Sequence, residues 1–260
     1  MASITIRAGT PADASSIADV HYRALDRYHG FYGAFFVNEP RAILTRATGL
    51  AVREGEDVYL VAVEGGGRVV GFVRYAVREG RTQAAGIGSE MREEEEEDKQ
   101  EVVDGEKKGK EEEDVEGRPP SLFAVKEHLK DLWEEFDGKQ VAMDECYEKA
   151  ASGRRHIYIN HLMIDPAYQR RGIGSKLLAA VLERSDSAKI PAFLMSSAES
   201  RGLYGKMGFE SLGTWTVDNG AWAGRIAEVE RGLGMGGREG LVEEFAGVGE
   251  VEDVMVRWAR

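Results

Sequence analysis

The chain has 260 residues, 42% of them apolar, and a formal net charge of −12, enough material for one full core with something added to it. A single cysteine, Cys146, excludes an internal disulfide framework and a Cys-rich zinc site, and the five histidines show no metal-ligand spacing, so no metal is expected. The cations form no extended basic stripe, which argues against nucleic acid, and no stretch reaches membrane-spanning length or forms an apolar leader; a cytoplasmic protein is expected, with the nucleus also open to it.

Ile4-Thr5-Ile6-Arg7 reads as a first strand. Thr10-Pro11-Ala12-Asp13 predicts a helix start, with Thr as N-cap and Pro at the first helical position, and the helix continues through Ile17, Val20 and Ala24. The stretch from Tyr28 to Phe36 is aromatic and punctuated by glycine, and a second helical pattern follows near Arg41 to Thr48. Val58 to Val63 and Val69 to Val77 predict two strands, joined as a hairpin through Glu64-Gly65-Gly66-Gly67-Arg68.

The negative charge is concentrated in one place. Glu90 to Glu116 holds 15 acidic and 5 basic residues, leaving only −2 for the rest of the chain. Such a run cannot bury enough apolar surface to offset its ordering entropy, so residues 80–117 are expected to be a disordered, solubilising insertion. After Pro119-Pro120, residues 121–151 are expected to form an inserted helical segment, whose stripe of Leu122, Val125, Leu129, Leu132, Trp133 and Phe136 stops near Asp137-Gly138.

Ile157 to Ile164 predicts a strand, and Ile173, Leu177, Leu178, Val181 and Leu182 recur at helical spacing. Between them lies Gln169-Arg170-Arg171-Gly172-Ile173-Gly174. Gly172 and Gly174 lack a Cβ, so this loop can turn tightly and bring its backbone close to an anion, while the helix that follows aims unpaired N–H groups and its positive dipole end at the same point. The stretch reads as a pyrophosphate cradle. It is neither a Rossmann fingerprint, which needs glycine where Leu177 stands, nor a P-loop, which needs Gly-Lys-[Ser/Thr] after a longer spacer. Strict strand alternation puts Tyr158, Asn160, Leu162 and Ile164 on one face and Ile159, His161 and Met163 on the other. Downstream come a short strand, Ala192 to Met195, the run Leu203-Tyr204-Gly205-Lys206-Met207-Gly208-Phe209, a strand from Ser211 to Val217, a loose loop from Gly232 to Gly249, and a closing strand from Val254 to Trp258.

The Gln169 to Gly174 signature, with an apolar strand and Pro166 before it, resembles the acetyl-CoA-binding segment of the GNAT superfamily of N-acetyltransferases. Tyr204, followed four residues later by Gly208-Phe209, is similar to a second feature of that family, and the opening strand and helix also look like a GNAT N-terminus. The resemblance implies one α/β (α+β) domain over residues 1–260, a mixed, mostly antiparallel central sheet with helices on both faces. It implies acetyl-CoA as cosubstrate and a primary amine, in a small molecule or a peptide, as acceptor.

By the same resemblance, backbone groups at Leu162, Met163 and Ile164 bind the pantetheine arm and the thioester carbonyl, where donors would also stabilise charge developing on that oxygen. The cofactor-binding set is Gln169, Arg170, Arg171, Gly172, Ile173 and Gly174, with Ser175, Lys176 and Ser197. Tyr204 is the expected general acid, a neutral phenol able to protonate the departing thiolate, which would bring a fall in rate as it ionises near its reference value of about 10. The base stays open: the resemblance favours the face of Tyr158 and Asn160, which carries no carboxylate, while His161 lies one residue out of phase; a water chain held by Asn160 and Tyr158, or a substrate already partly neutral, would serve as well. The aromatic run at 28–36 is either a wall of the acceptor pocket or core packing. Two other functions remain compatible with the sequence, a non-catalytic acyl-CoA-binding module and an interaction protein acting through its acidic stretch.

Overall fold

The computed structural model describes residues 3–55, 57–80, 123–236 and 239–260. Of the acidic insertion expected at 80–117, residues 81–117 lie outside the described residues, as do the first residues of the segment at 121–151. The elements in chain order are β1 (Ile4–Ala8), α1 (Ala14–Ala24), α2 (His29–Phe35), α3 (Pro40–Glu54), β2 (Val58–Glu64), β3 (Val69–Arg78), α4 (Lys130–Ala151), β4 (His156–Ile164), α5 (Ile173–Ala188), β5 (Ala192–Ser197), α6 (Ala198–Lys206), β6 (Glu210–Asp218), α7 (Asn219–Gly232), α8 (Glu239–Phe245) and β7 (Gly249–Arg257).

The strands form a seven-stranded sheet in the order β1-β2-β3-β4-β5-β7-β6. Every neighbouring pair is antiparallel except β4 and β5, which run parallel through the α5 crossover. The sheet is therefore mixed and mostly antiparallel, with helices on both faces, as the sequence led us to expect.

One face is covered by α5 and α6. Leu177, Leu178 and Val181 of α5 are fully enclosed against Ile157, Ile159 and Leu194 of the sheet, and each such side chain contributes about 1.5–3 kcal/mol of burial. The opposite face carries α1, with Ile17 and Val20 on Val61 and Phe72, and an aromatic layer in which Phe31 and Phe35 of α2 meet Phe136 of α4 and Phe245 of α8. The aromatic run at 28–36 thus contributes packing through Phe31 and Phe35, while Tyr28 and Tyr32 are only half-buried.

Three elements differ from the sequence reading. The helix expected to stop near Asp137-Gly138 continues to Ala151, because Met143 and Ala151 carry its buried face onward and Tyr147 packs on Phe193; a glycine inside a helix costs only about 1 kcal/mol, less than that packing returns. The loose loop expected at 232–249 contains α8, held by Leu241 and Phe245, and the closing strand begins at Gly249. Helix α7 has no counterpart in the sequence reading: Gly220, Gly224 and Gly232 mask a stripe of Ala223, Ile226 and Ala227 that is buried.

Candidate active site

The loop before α5 is built by its neighbours. Asp165, 3% exposed, accepts from Ala167 N at 3.0 Å and pairs with Arg23 of α1 at 3.1 Å and Arg68 at 3.2 Å, which fixes the chain as it leaves β4. Tyr168 donates to Glu64 at 2.7 Å, and the Arg171 guanidinium lies 4.8 Å above its ring while donating to Ala167 O. Gln169 reaches back to Ile164 O at 3.3 Å. Backbone and side chains thus hold both ends of the loop.

Its apex has the left-handed backbone that the glycine reading requires. Gly172 has φ 74°, and Arg170 shares that region at φ 61°. A Cβ placed on Gly172 would meet nothing within 4 Å, so the space in front of the loop is open. Gly172 is the N-cap of the 16-residue α5, whose first N–H groups face the same space, and the side chains of Arg170, Arg171 and Lys176 are exposed around it. Fixed donors and a helix dipole meet one open spot, and Arg170 and Lys176 are exposed beside it, an arrangement that fits a pyrophosphate. Gly174 and half-buried Ser175 lie in the first turn, where a Cβ on Gly174 would sit 3.4 Å from Leu203 and 3.8 Å from Ile164. The cradle, the end of β4 and α6 are therefore in direct contact.

The sheet opens beside this loop. Strands β4 and β5 pair only from Ile157↔Ala192 to Ile159↔Leu194, after which β4 continues along β3 and β5 along β7. The backbone of Leu162, Met163 and Ile164 faces the resulting gap on the β5 side. Ser197 ends β5 at the other lip of the gap, with its hydroxyl 3.4 Å from that of Ser200.

The β3–β4 register slips at the same level: Arg74 opposes His161 while Tyr75 opposes Ile159, so Asn160 is an extra, bulged residue. This corrects the strict alternation expected for β4. Ile157 and Ile159 pack toward α5, and so do Leu162 and Ile164; Tyr158 packs beside Tyr147 and Phe193 on the other face, which His161 and Met163 share, near α1. His161 is in phase with Tyr158 after all. Asn160 does not join them in the expected way, because its amide donates to Asp57 at 3.3 Å, and Asp57 also pairs with Arg74.

His161 lies 4.6 Å, centroid to centroid, from His21 of α1. Burial, then the charges of Arg74 and His29, bring the His21 pKa down to about 4; burial, then His21 and Arg74, hold His161 well below its usual value. Both rings are neutral at pH 7. A neutral imidazole at the bulge has a free lone pair for a proton, but the same burial makes it a weak base.

Tyr204 lies on α6 within the α5-side core, 5% exposed, with its ring edge-on to Phe209 at 5.7 Å. Burial raises its pKa, so the phenol stays protonated well past pH 10 and the alkaline fall expected near that value moves upward. The sequence reading missed His21, Asp57 and Arg74. His21 had a signal, since it stands four residues after Ile17 on the buried stripe of α1; Asp57, in the turn before β2, had none.

A cavity of about 810 Å³ lined by Ile6, Leu60, Ala180 and Arg184 lies by the C-terminal half of α5, and none of the site residues above lines it. Among the described residues, no group of His, Cys, Asp and Glu could hold a metal ion, and no helix is long and apolar enough to cross a membrane.

No curated protein matches the chain. Among solved structures, the chain is similar to a histone acetyltransferase HPA2 and related acetyltransferase from Corynebacterium glutamicum, with 15% identity, a TM-score of 0.52 and coverage of 100% of this chain and 98% of that one. It also matches NAA60 of Arabidopsis thaliana in complex with a bisubstrate analogue, with 12% identity, a TM-score of 0.49 and 99% of each chain covered. A third match is a GNAT family acetyltransferase from Brucella melitensis in complex with acetyl-CoA, with 16% identity, a TM-score of 0.41 and coverage of 81% and 85%. Residues 133–225, which span most of α4, the parted strands, the glycine loop and Tyr204, match the family model of the acetyltransferase (GNAT) domain, and the fold of the described residues is the GNAT fold.

Proposed function

We propose that this protein transfers the acetyl group of acetyl-CoA to the nitrogen of a primary amine, carried by a small molecule or a peptide, by direct attack within a ternary complex. The observation that carries the reading is the parting of β4 and β5 directly beside an open, cationic helix N-terminus. When bound, acetyl-CoA supplies an acyl group activated as a thioester. The N–H groups of Gly172 to Gly174, with Arg170, Arg171, Ser175 and Lys176, hold the pyrophosphate, and the freed backbone of Leu162 to Ile164, with Ser197 across the gap, holds the pantetheine arm. His161, beside the bulge, takes the proton of the incoming amine as the C–N bond forms and the nitrogen becomes acidic, since burial makes the ring too weak a base to deprotonate a free ammonium. Tyr204, kept protonated by burial, donates one to the departing sulfur. Asn160 positions the bulge through Asp57.

Incubation of the purified protein with acetyl-CoA and pooled amines, with free thiol as readout, tests the assignment. Amine-dependent thiol release is the expected result. Acetyl-CoA binding by calorimetry without turnover on any amine would make the protein an acyl-CoA-binding module instead, and no binding at all would remove both readings.

A further inference from the structure

The face of the sheet that carries His161 also carries a pair of carboxylates with too few donors. Glu250 and Glu252 lie two apart on β7, and so point to the same face, where Tyr32 of α2 and Lys139 of α4 meet them. Tyr32 donates to Glu250 at 3.3 Å, and the Asn219 amide donates to the other oxygen of that carboxylate. Lys139 reaches Glu252 at 3.6 Å.

Two acceptors are left over. Asn219 is fully buried and its Oδ1 has no hydrogen-bond partner, and the enclosed Oε2 of Glu252 has none either. The orientation of Asn219 is fixed, since turning its amide would set oxygen against the Glu250 carboxylate. Buried acceptors without donors are costly, and both of these sit beside negative charge, so what would complete them is a group that carries only donors and a positive charge. An ammonium meets both requirements, whereas water brings acceptors as well as donors and no charge.

The position suits an acceptor. Glu252 is paired with Ser197, three residues along β5 from Leu194, where β4 and β5 part. At about 3.3 Å per residue that is roughly 10 Å along the gap from the point where the strands part, the level of the bulge and His161.

We infer that Glu252, Glu250 and Asn219 form a distal subsite for a second cationic nitrogen of the acceptor, so that the preferred substrates are amines with another ammonium roughly 10 Å from the reacting one. This rests on the acetyl transfer proposed above. Burial raises the Glu250 pKa, although the Asn219 amide and the Lys139 charge act the other way.

The test compares α,ω-diamines of increasing length with monoamines of equal carbon number. We expect kcat/KM for the best diamine to exceed that for its matched monoamine by about tenfold or more, the value of one charge-assisted hydrogen bond, and Glu252→Gln to collapse that ratio. Glu250→Gln, also isosteric, serves as the second variant should the first fail to fold. A wild-type ratio near one, or a ratio unaltered in both folded variants, would overturn the subsite. Calorimetry keeps the two ideas apart: a protein that fails to bind acetyl-CoA fails the transferase reading, whereas diamine binding that equals monoamine binding fails only this one.

Discussion

The two faces of the central sheet are put together differently. The α5 face takes its ligand-binding features from one continuous stretch, β4 through the glycine loop into α5, with Tyr204 joined to it through Leu203 and Gly174. The opposite face is assembled from α1, α2, α4, α7, β4 and β7, which bring His21, Tyr32, Lys139, Asn219, His161, Glu250 and Glu252 together from across the chain. A local unit can be fixed by backbone geometry alone, which suits the proposed binding of a shared cosubstrate. A composite surface depends on which side chains the rest of the chain supplies, which suits the proposed choice of acceptor.

The largest effect that would break this contrast is on the local unit. Gly172→Asp places a carboxylate in the open space before α5, where the proposed pyrophosphate would lie, at a backbone position with φ 74°. Acetyl-CoA affinity should fall by at least about 100-fold, while stability drops by only about 1–2 kcal/mol, the cost of a side chain in the left-handed region. Calorimetry and a melting curve give the two numbers. Wild-type affinity in the variant would show that the cradle is placed elsewhere.

Tyr204→Phe comes next. The ring stays in the core against Phe209, so stability and acetyl-CoA affinity should hold, while kcat falls about 100-fold if the phenol is the acid. Because burial raises its pKa, the wild-type rate should continue to rise or stay level through pH 10. An unchanged kcat in the Phe variant would leave solvent to protonate the thiolate.

The same contrast decides what could be read before the structure. The stretch from Gln169 to Gly174 was legible as a tight turn opening a helix because its constraints are contiguous, a left-handed glycine followed directly by a helix start. Strand β4 was legible as a strand and misread in phase, since the bulge at Asn160 is set by Asp57 and Arg74, 103 and 86 positions away, and leaves no mark on Tyr158-Ile159-Asn160-His161 itself. Helices α7 and α8 were hidden by glycines that local propensity counts against a helix, and Ile226, Leu241 and Phe245 overrule that preference only once the aromatic layer exists to receive them. The acidic pair at Glu250 and Glu252 looked like ordinary alternation on a closing strand until Asn219 and Tyr32 were brought to it.

Acid should expose the composite face first. His21 titrates at about 6.5 when unfolded and about 4 when folded, so between those values the unfolded state takes up a proton that the native state refuses. Stability from this group is fully present above pH 6.5 and is lost as pH falls toward 4, by at most about 3 kcal/mol, and His161 adds a loss of the same sign. His21→Leu should keep most of the packing against Phe72 and flatten the decline. Urea midpoints from pH 7 to 4 would measure it, and parallel curves for wild type and variant would mean that the rings are solvated.

The smallest effect tests whether the faces can be uncoupled from the frame. Asp186, near the end of α5, pairs through both oxygens with Arg257 at the end of β7, each bond 2.8 Å, and accepts from the backbone of Arg260 at 2.9 Å. This clamp ties the helix of the local unit to the strand that carries Glu250 and Glu252, yet it touches neither site. Arg257, followed by the backbone of Arg260, brings the Asp186 pKa down to about 2, so the contribution is present above the carboxylate's ordinary value of about 4 and is lost as pH falls toward 2. Asp186 is about a third exposed, so solvent screening reduces the stabilisation, and Asp186→Asn should cost about 1 kcal/mol with acetyl-CoA affinity unaltered. If that variant instead lost acetyl-CoA affinity together with diamine preference, the two faces would be positioned jointly through β7, and the division between a generic side and a selective side would have to be abandoned.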